Sequence, residues 1–223
     1  MEKLVLNPKA IVGYNINDFS LIEDIDPQKI TDSGIKIRNY GTVAFKGTTA
    51  IIGGDYVGYN GSTTEVDFLS NVKVLGDIKY EPNTTVRILS DSYVTTQGSS
   101  NTVMEGKSVQ GNIANVETEG MRTANVEVQD GKVVATLSRQ NPVEYIGEGA
   151  EASSKNVAEN VEKVFQDLDK KVLSGTATRE ELAMGAIVQN MTTMGFVSAS
   201  EMMSGEIYAS AQALTCLLYT SPS

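Results

Sequence analysis

From residue 35 onward the chain alternates apolar and polar side chains in short runs. These are IKIR (35–38), TVAF (42–45), TEVDF (64–68), NVKVLG (71–76), TVRIL (85–89), NVEVQ (125–129) and KVVATL (132–137). Successive side chains of a strand point to opposite faces, so a period of two bounded by Gly, Asn or Asp predicts half-buried β-strands. Asp130-Gly131 stands between the last two runs. That pair supplies the positive φ angles of a type I′ turn and predicts a β-hairpin turning there. Residues 35–139 are therefore expected to stack as strands around an apolar interior. No fixed repeat length emerges. Val and Ile clusters recur at irregular intervals, a pattern that fits both a parallel β-solenoid and a β-sandwich.

The pattern changes near residue 150. In SSKNVAENVEKVFQDLDKKVLSG (153–175), Val157, Val161, Val164, Phe165, Leu168 and Val172 fall at helical spacing. Ser153 or Ser154 is the expected cap and Gly175 the expected stop. Thr178 with Glu181 forms a capping box ahead of a second helix, which turns Leu182, Ile187, Val188 and Met191 inward and stops by Gly195. Ser198 and Glu201 repeat the capping pattern ahead of a third helix striped by Met203, Ile207, Ala211 and Leu214. The expected spans are 155–174, 179–193 and 199–214. The fold expected is mainly β over 1–149, as a β-solenoid end or a β-sandwich, followed by a helical segment at 150–215.

Charge and missing residue types narrow the chemistry. With 18 basic and 28 acidic residues the net charge is −10. Nucleic acid and anionic lipid are both held by Lys and Arg, so neither is an expected partner. The chain has no histidine. That excludes a Ser-His-Asp triad, a Cys-His pair and every His-based zinc site within these residues. No run of apolar residues is long enough for a spanning helix. The start, MEKLVLNPKAIVGYN, lacks the apolar core of a signal peptide. Either the protein is cytoplasmic or Met1 is an internal methionine of a longer chain.

The remaining candidates dissolve on inspection. GGDYVGYNGS (53–62) lacks GxGxxG spacing and reads as turns at strand ends, not as a phosphate cradle. Glu23, Asp24 and Asp26 in EDID lack the alternating oxygen ligands of a calcium loop and read as a solvated turn. Asp167 and Asp169 are two apart on a helix and do not share a face. The methionines at 184, 191, 194, 202 and 203 read as adaptable packing. No catalytic, cofactor-binding or metal-binding residue is assigned, no cofactor is expected, and the fragment is expected to show no hydrolase activity.

Three stretches resemble one family, the type V secreted autotransporters of Gram-negative bacteria. MSGEIYASAQAL (203–214) is similar to the LSGE-x-YAS segment that precedes the membrane β-barrel, with Met203 in place of leucine. Residues 54–106 resemble the last rungs of a passenger β-helix, with GDY, VKVLGD and VRIL strands in order. Residues 109–141 look like the closing module, whose G-x-F-x-x-V step here carries Ile113 where Phe is usual. The resemblance implies an outer-membrane, cell-surface location and an exported passenger, a stalk or adhesin. It implies a C-terminal barrel of the same chain as partner, insertion by the outer-membrane assembly machinery, and a monomer. The wording ATLSRQN and MSGEIYAS is closest to subtilisin-like serine protease autotransporters, in which the catalytic domain would lie upstream of Met1. A β-sandwich surface protein unrelated to type V secretion is the third reading.

The ending CLLYTSPS (216–223) back-translates as TGT CTC TTA TAC ACA TCT CCG AGC. That string resembles the transposase end and adapter of sequencing libraries. Cys216–Ser223 are thus expected to be non-native, which makes the chain an internal piece of an incomplete gene. The native part then has no cysteine, which suits export through a compartment where thiols cross-link.

Overall fold

A computed structural model describes residues 3–6, 10–12, 36–47 and 49–202. The EDID cluster, the stripe from Met203 to Leu214 and residues 216–223 lie outside the described residues. Two compact units divide the chain. The first comprises Met1–Ser90, Gln97–Glu119 and Thr123–Ser138; the second comprises Asp91–Thr96, Gly120–Arg122 and Arg139–Ser223.

In the first unit the chain visits three sheets in turn. Strands β1 (Lys3–Leu6), β2 (Ala10–Val12) and β3 (Ile37–Asn39) each belong to a different sheet. Next come β4 (Thr42–Phe45), β5 (Thr49–Ile52) and β6 (Tyr56–Gly58), which pair in parallel with β1, β2 and β3 respectively. The same order repeats in β7 (Thr63–Asp67), β8 (Asn71–Val74) and β9 (Ile78–Tyr80). It repeats again in β10 (Thr85–Leu89), β11 (Ser99–Glu105) and β12 (Val109–Gln110). Strand β13 (Asn115–Thr118) pairs in parallel with β10. Every strand up to β10 thus pairs with the third strand after it.

The last two strands break the order. Strands β14 (Arg122–Gln129) and β15 (Lys132–Arg139) are neighbours in the second sheet, and β15 runs antiparallel to β11. Asp130 (φ 44°) and Gly131 (φ 77°) form the turn between them, as their positive φ angles require.

Register explains both the alternation and the missing repeat. Thr42, Thr63, Thr85 and Asn115 stand in one column, at steps of 21, 22 and 30 residues. The long last step contains residues 91–96, which cluster with the second unit. The inward columns are Val43, Thr64, Val86 and Phe45, Val66, Ile88 from the first sheet, all buried. Ala50, Val72, Met104 and Ile52, Val74 enter from the second sheet, and Ile37, Tyr56, Ile78 from the third. Removing such side chains from water contributes about 2 kcal/mol each. Polar groups among them are matched. Tyr56 Oη accepts from Asn39 Nδ2 at 3.0 Å and lies 2.6 Å from Thr64 Oγ1. Asn39 Nδ2 also donates to Thr63 O at 2.9 Å. GGDYVGYNGS forms β6 between two turns and is followed by β7, not by a helix.

The second unit is helical: α1 (Pro142–Ile146), α2 (Ala152–Leu173), α3 (Arg179–Gln189) and α4, described over 193–202. Its core contains Met121, Ile146, Ala158, Phe165 and Phe196. Several boundaries differ from expectation. Helix α1 was not foreseen, although Asn141 caps it by accepting from Val143 N at 2.9 Å, with Pro142 in the first turn. Helix α2 starts at Ala152 behind Glu151, which makes no side-chain cap, so Ser153 and Ser154 lie inside it and Ser154 is buried. Gly175, at φ 69°, does follow its end. Helix α3 stops at Gln189, short of Gly195. Helix α4 starts behind Thr192, whose Oγ1 accepts from Gly195 N at 3.1 Å. Ser198 therefore lies inside α4 and does not cap it.

The faces also shift. Phe165 and Leu168 are buried as expected, but Val164 and Ile187 are exposed. For Ile187 the reason is a close approach at Gly185: a Cβ there would lie 2.6 Å from the Tyr93 ring and 2.8 Å from Leu168. Helix α3 packs through Gly185 and Ala186, which turns its larger neighbour Ile187 away.

The capping box is present as predicted. Glu181 N donates to Thr178 Oγ1 at 3.2 Å, and Thr178 N donates to Glu181 Oε2 at 2.9 Å. Thr178→Ala is expected to cost about 1 kcal/mol, measured by urea denaturation. An unchanged midpoint would show that α3 holds its start by packing alone.

Candidate functional site

A buried ionic junction lies in the second unit. Arg139 ends β15, and its side chain is 2% exposed. Its Nη1 and Nη2 reach the two oxygens of Glu162 at 2.6 and 3.1 Å. Its Nε and Nη2 reach Asp169 Oδ2 at 3.1 and 3.0 Å. The guanidinium also lies 5.3 Å from the centre of the Phe165 ring. Glu162 and Asp169 stand seven residues apart on α2, two helical turns, so both face one way.

Asp169 collects further donors. Tyr93 Oη donates to its Oδ1 at 2.8 Å, and Thr96 donates from N at 3.2 Å and from Oγ1 at 2.7 Å to Oδ2. Burial by itself would raise this carboxyl, but the bonds from Thr96, Tyr93 and Arg139 outweigh it and hold the group below its ordinary value. Burial and the neighbouring Asp169 push the Tyr93 hydroxyl up, so it stays a donor. A second clamp sits beside the first. The Gln189 amide, fully buried, accepts from Val94 N at 3.0 Å and donates to Val94 O at 2.7 Å. Arg122 bonds Asn190 through Nη1 and Ser92 O through Nη2, the latter at 3.1 Å.

These bonds tie residues 91–96, the ends of β14 and β15, and helices α2 and α3 into one unit. Both carboxylates are turned to one guanidinium, which leaves the arrangement suited to holding chain segments rather than to proton transfer. Helices α2 and α3 also border an apolar cleft of about 500 Å³ lined by Val161, Phe165, Leu168, Met184 and Val188.

Asp167 is exposed and pairs with Lys170 at 2.9 Å, while Asp169 faces Arg139, so the two aspartates point apart as their spacing requires. Sequence reasoning missed Arg139, Glu162 and Gln189. The seven-residue spacing of Glu162 and Asp169 was a signal, but their partner lies 23 residues away from the nearer one. Among the described residues, no group of three or more Asp, Glu, Cys or His side chains is arranged to hold a metal ion.

The depressed Asp169 carboxyl makes a pH prediction. Its folded value lies below the unfolded one, so the folded chain binds fewer protons in this range. The stabilisation is present above the ordinary value of 3.8 and is lost as pH falls through the folded value. The wild type should lose stability more steeply than Asp169→Asn below that pH. Superimposable acid limbs in the two proteins would contradict the assignment.

Comparison of the chain with protein-family profiles, with characterised proteins and with solved structures finds no match.

Proposed function

We propose that this chain is a structural and secretion module of an outer-membrane autotransporter. In this reading it is the end of a parallel β-solenoid passenger, with its closing module and the helical segment ahead of a membrane β-barrel. The observation that carries the reading is the pairing of each strand up to β10 with the third strand after it, always in parallel, ended by an antiparallel hairpin. Solenoids grow by neighbour-to-neighbour pairing and need a terminal cap. An open strand edge templates association unless charge or polarity blunts it. Strand β14 is the edge of its sheet, and it exposes Thr123, Asn125, Glu127 and Gln129. The order of the motifs adds support: GDY, VKVLGD and VRIL strands, then the hairpin, then helices leading to SGEIYAS.

On this reading the chain itself is not an enzyme, and any catalytic or adhesive activity of the parent protein resides upstream. The test is surface display. A signal peptide is fused before Met1 and an outer-membrane β-barrel after Thr215, and intact Gram-negative cells are treated with protease. The expected result is a surface-exposed, protease-resistant stack whose resistance is lost on deleting 122–139. Retention in the periplasm, or equal resistance without the hairpin, would sink the proposal.

A further inference from the structure

The outward face of β3, β6, β9 and β12 carries side chains that the preceding roles leave unused. They line a groove of about 310 Å³ that crosses the strands. Its charges balance: Lys36, Arg38 and Lys79 stand against Asp55, Asp77 and Glu81. The chain as a whole carries −10, so this face departs from the general acidic excess. A phosphate-bearing ligand calls for a cationic excess, which is missing here. A cation calls for converging free carboxylates, and these are engaged. Asp55 Oδ2 meets Lys36 Nζ at 2.8 Å, and Asp55 Oδ1 accepts from Asp77 N at 2.9 Å. Asp77 Oδ1 accepts from Ser108 Oγ at 2.9 Å.

Those bonds hold the two carboxylates in fixed orientations, and Asp77, bonded through Oδ1, can accept further. Arg38 and Lys79 stand in one column of the register, separated by Val57, and supply donors. Tyr59 also lines the groove. Tyr40, 66% exposed, stacks on the Tyr59 ring with centroids 4.2 Å apart and planes 17° apart. The stack is a stiff aromatic platform at the edge of a polar trough. Fixed acceptors, available donors and an aromatic face together match a pyranose, which offers hydroxyls at its rim and C–H groups on its faces. Adjacent strands lie about 4.8 Å apart, so Arg38 and Lys79, with Val57 between them, stand two strand spacings apart.

We propose that this groove binds a neutral oligosaccharide, with Tyr59 stacking on a ring and Arg38, Lys79, Asp77 and Glu81 bonding its hydroxyls. The proposal stands independently of the secretion role. The probes are cellohexaose, laminarihexaose, maltohexaose and chitohexaose, with heparin and polygalacturonate as anionic controls. Binding to the full chain is followed by calorimetry and by amide shifts in isotope-labelled protein. At least one neutral hexasaccharide is expected to bind, to shift amides of β3, β6 and β9, and to be insensitive to salt. Tyr59→Ala and the surface variant Lys79→Ala should each weaken it about tenfold, roughly one hydrogen-bond or stacking contribution, with circular dichroism unchanged. Where Tyr59→Ala disturbs the fold, the Lys79→Ala result and the wild-type amide map decide. The proposal is overturned if no neutral hexasaccharide binds at millimolar concentration or if shifts fall outside this face. It is equally overturned if Lys79→Ala binds as the wild type does, or if only the anionic glycans bind and salt abolishes it.

Discussion

Arg139→Met is expected to cost about 3–5 kcal/mol, the range for removing one partner of a buried ion pair. The guanidinium is nearly inaccessible and holds Glu162 and Asp169 at 2.6 and 3.0 Å. Without it two carboxylates remain in a site only 14% and 13% exposed, with no opposing charge within the cluster. Tyr93 and Thr96 still donate to Asp169, but neutral donors do not replace a cation at short range. A triple variant discriminates between mechanisms. Arg139→Met combined with Glu162→Leu and Asp169→Leu removes the unpaired charges, and apolar replacement of a buried ionic cluster is often near neutral. The triple variant should therefore be more stable than the single one in urea denaturation at neutral pH. A single-variant loss below about 1 kcal/mol would mean that water reaches the junction and the pairs behave as surface pairs.

Tyr56→Ala should be about as damaging, at about 3–5 kcal/mol. The ring is wholly buried and meets Phe45 and Tyr80 edge to face, with centroids at 5.9 and 6.2 Å. Its loss opens a cavity between columns that adjacent strands hold in register. Tyr56→Phe separates packing from hydrogen bonding. It keeps the ring but removes the oxygen bonded to Asn39 and Thr64, and should cost about 1–3 kcal/mol. Equal effects of the two substitutions would show that the hydroxyl, not the ring, is the main contributor.

The same hydroxyl gives an alkaline signature. Burial pushes it from 10.0 up to about 12, against the opposing bonds from Thr64 and Asn39. A folded value above the unfolded one means the stabilisation is complete below pH 10.0 and is lost as pH rises through about 12. Tyr56→Phe should shallow the alkaline limb of the stability curve.

Strands, one turn and one cap could be read from the chain because each depends on residues a few positions apart. KVVATL alternates, and in β15 Val133, Ala135 and Leu137 are buried while Lys132 is exposed. Asp130-Gly131 turns the hairpin through its own φ angles. Thr178 and Glu181 bond each other across one helical turn. The repeat could not be read. One column runs Val43, Thr64, Val86, mixing a hydroxyl with methyl groups, and the steps between rows change wherever a connection lengthens. Chemical identity is lost along a column because the interior asks only that volume and hydrogen bonds be satisfied, as Thr64 does through Tyr56.

The helical faces show the same division. Spacing marks Val164 and Ile187 as inward, yet both are exposed, and the polar Gln189 is buried. What reverses Ile187 is the close approach of Tyr93 and Leu168 to Gly185, and what holds Gln189 inside is a backbone pair at Val94, 95 residues away. Arg139, Glu162 and Asp169 meet only after folding. Local order follows from side-chain periodicity and backbone angles, which short stretches carry in themselves. Which face is covered, and which charge finds a partner, depends on contacts between segments far apart in the chain, and these exist only in the tertiary structure.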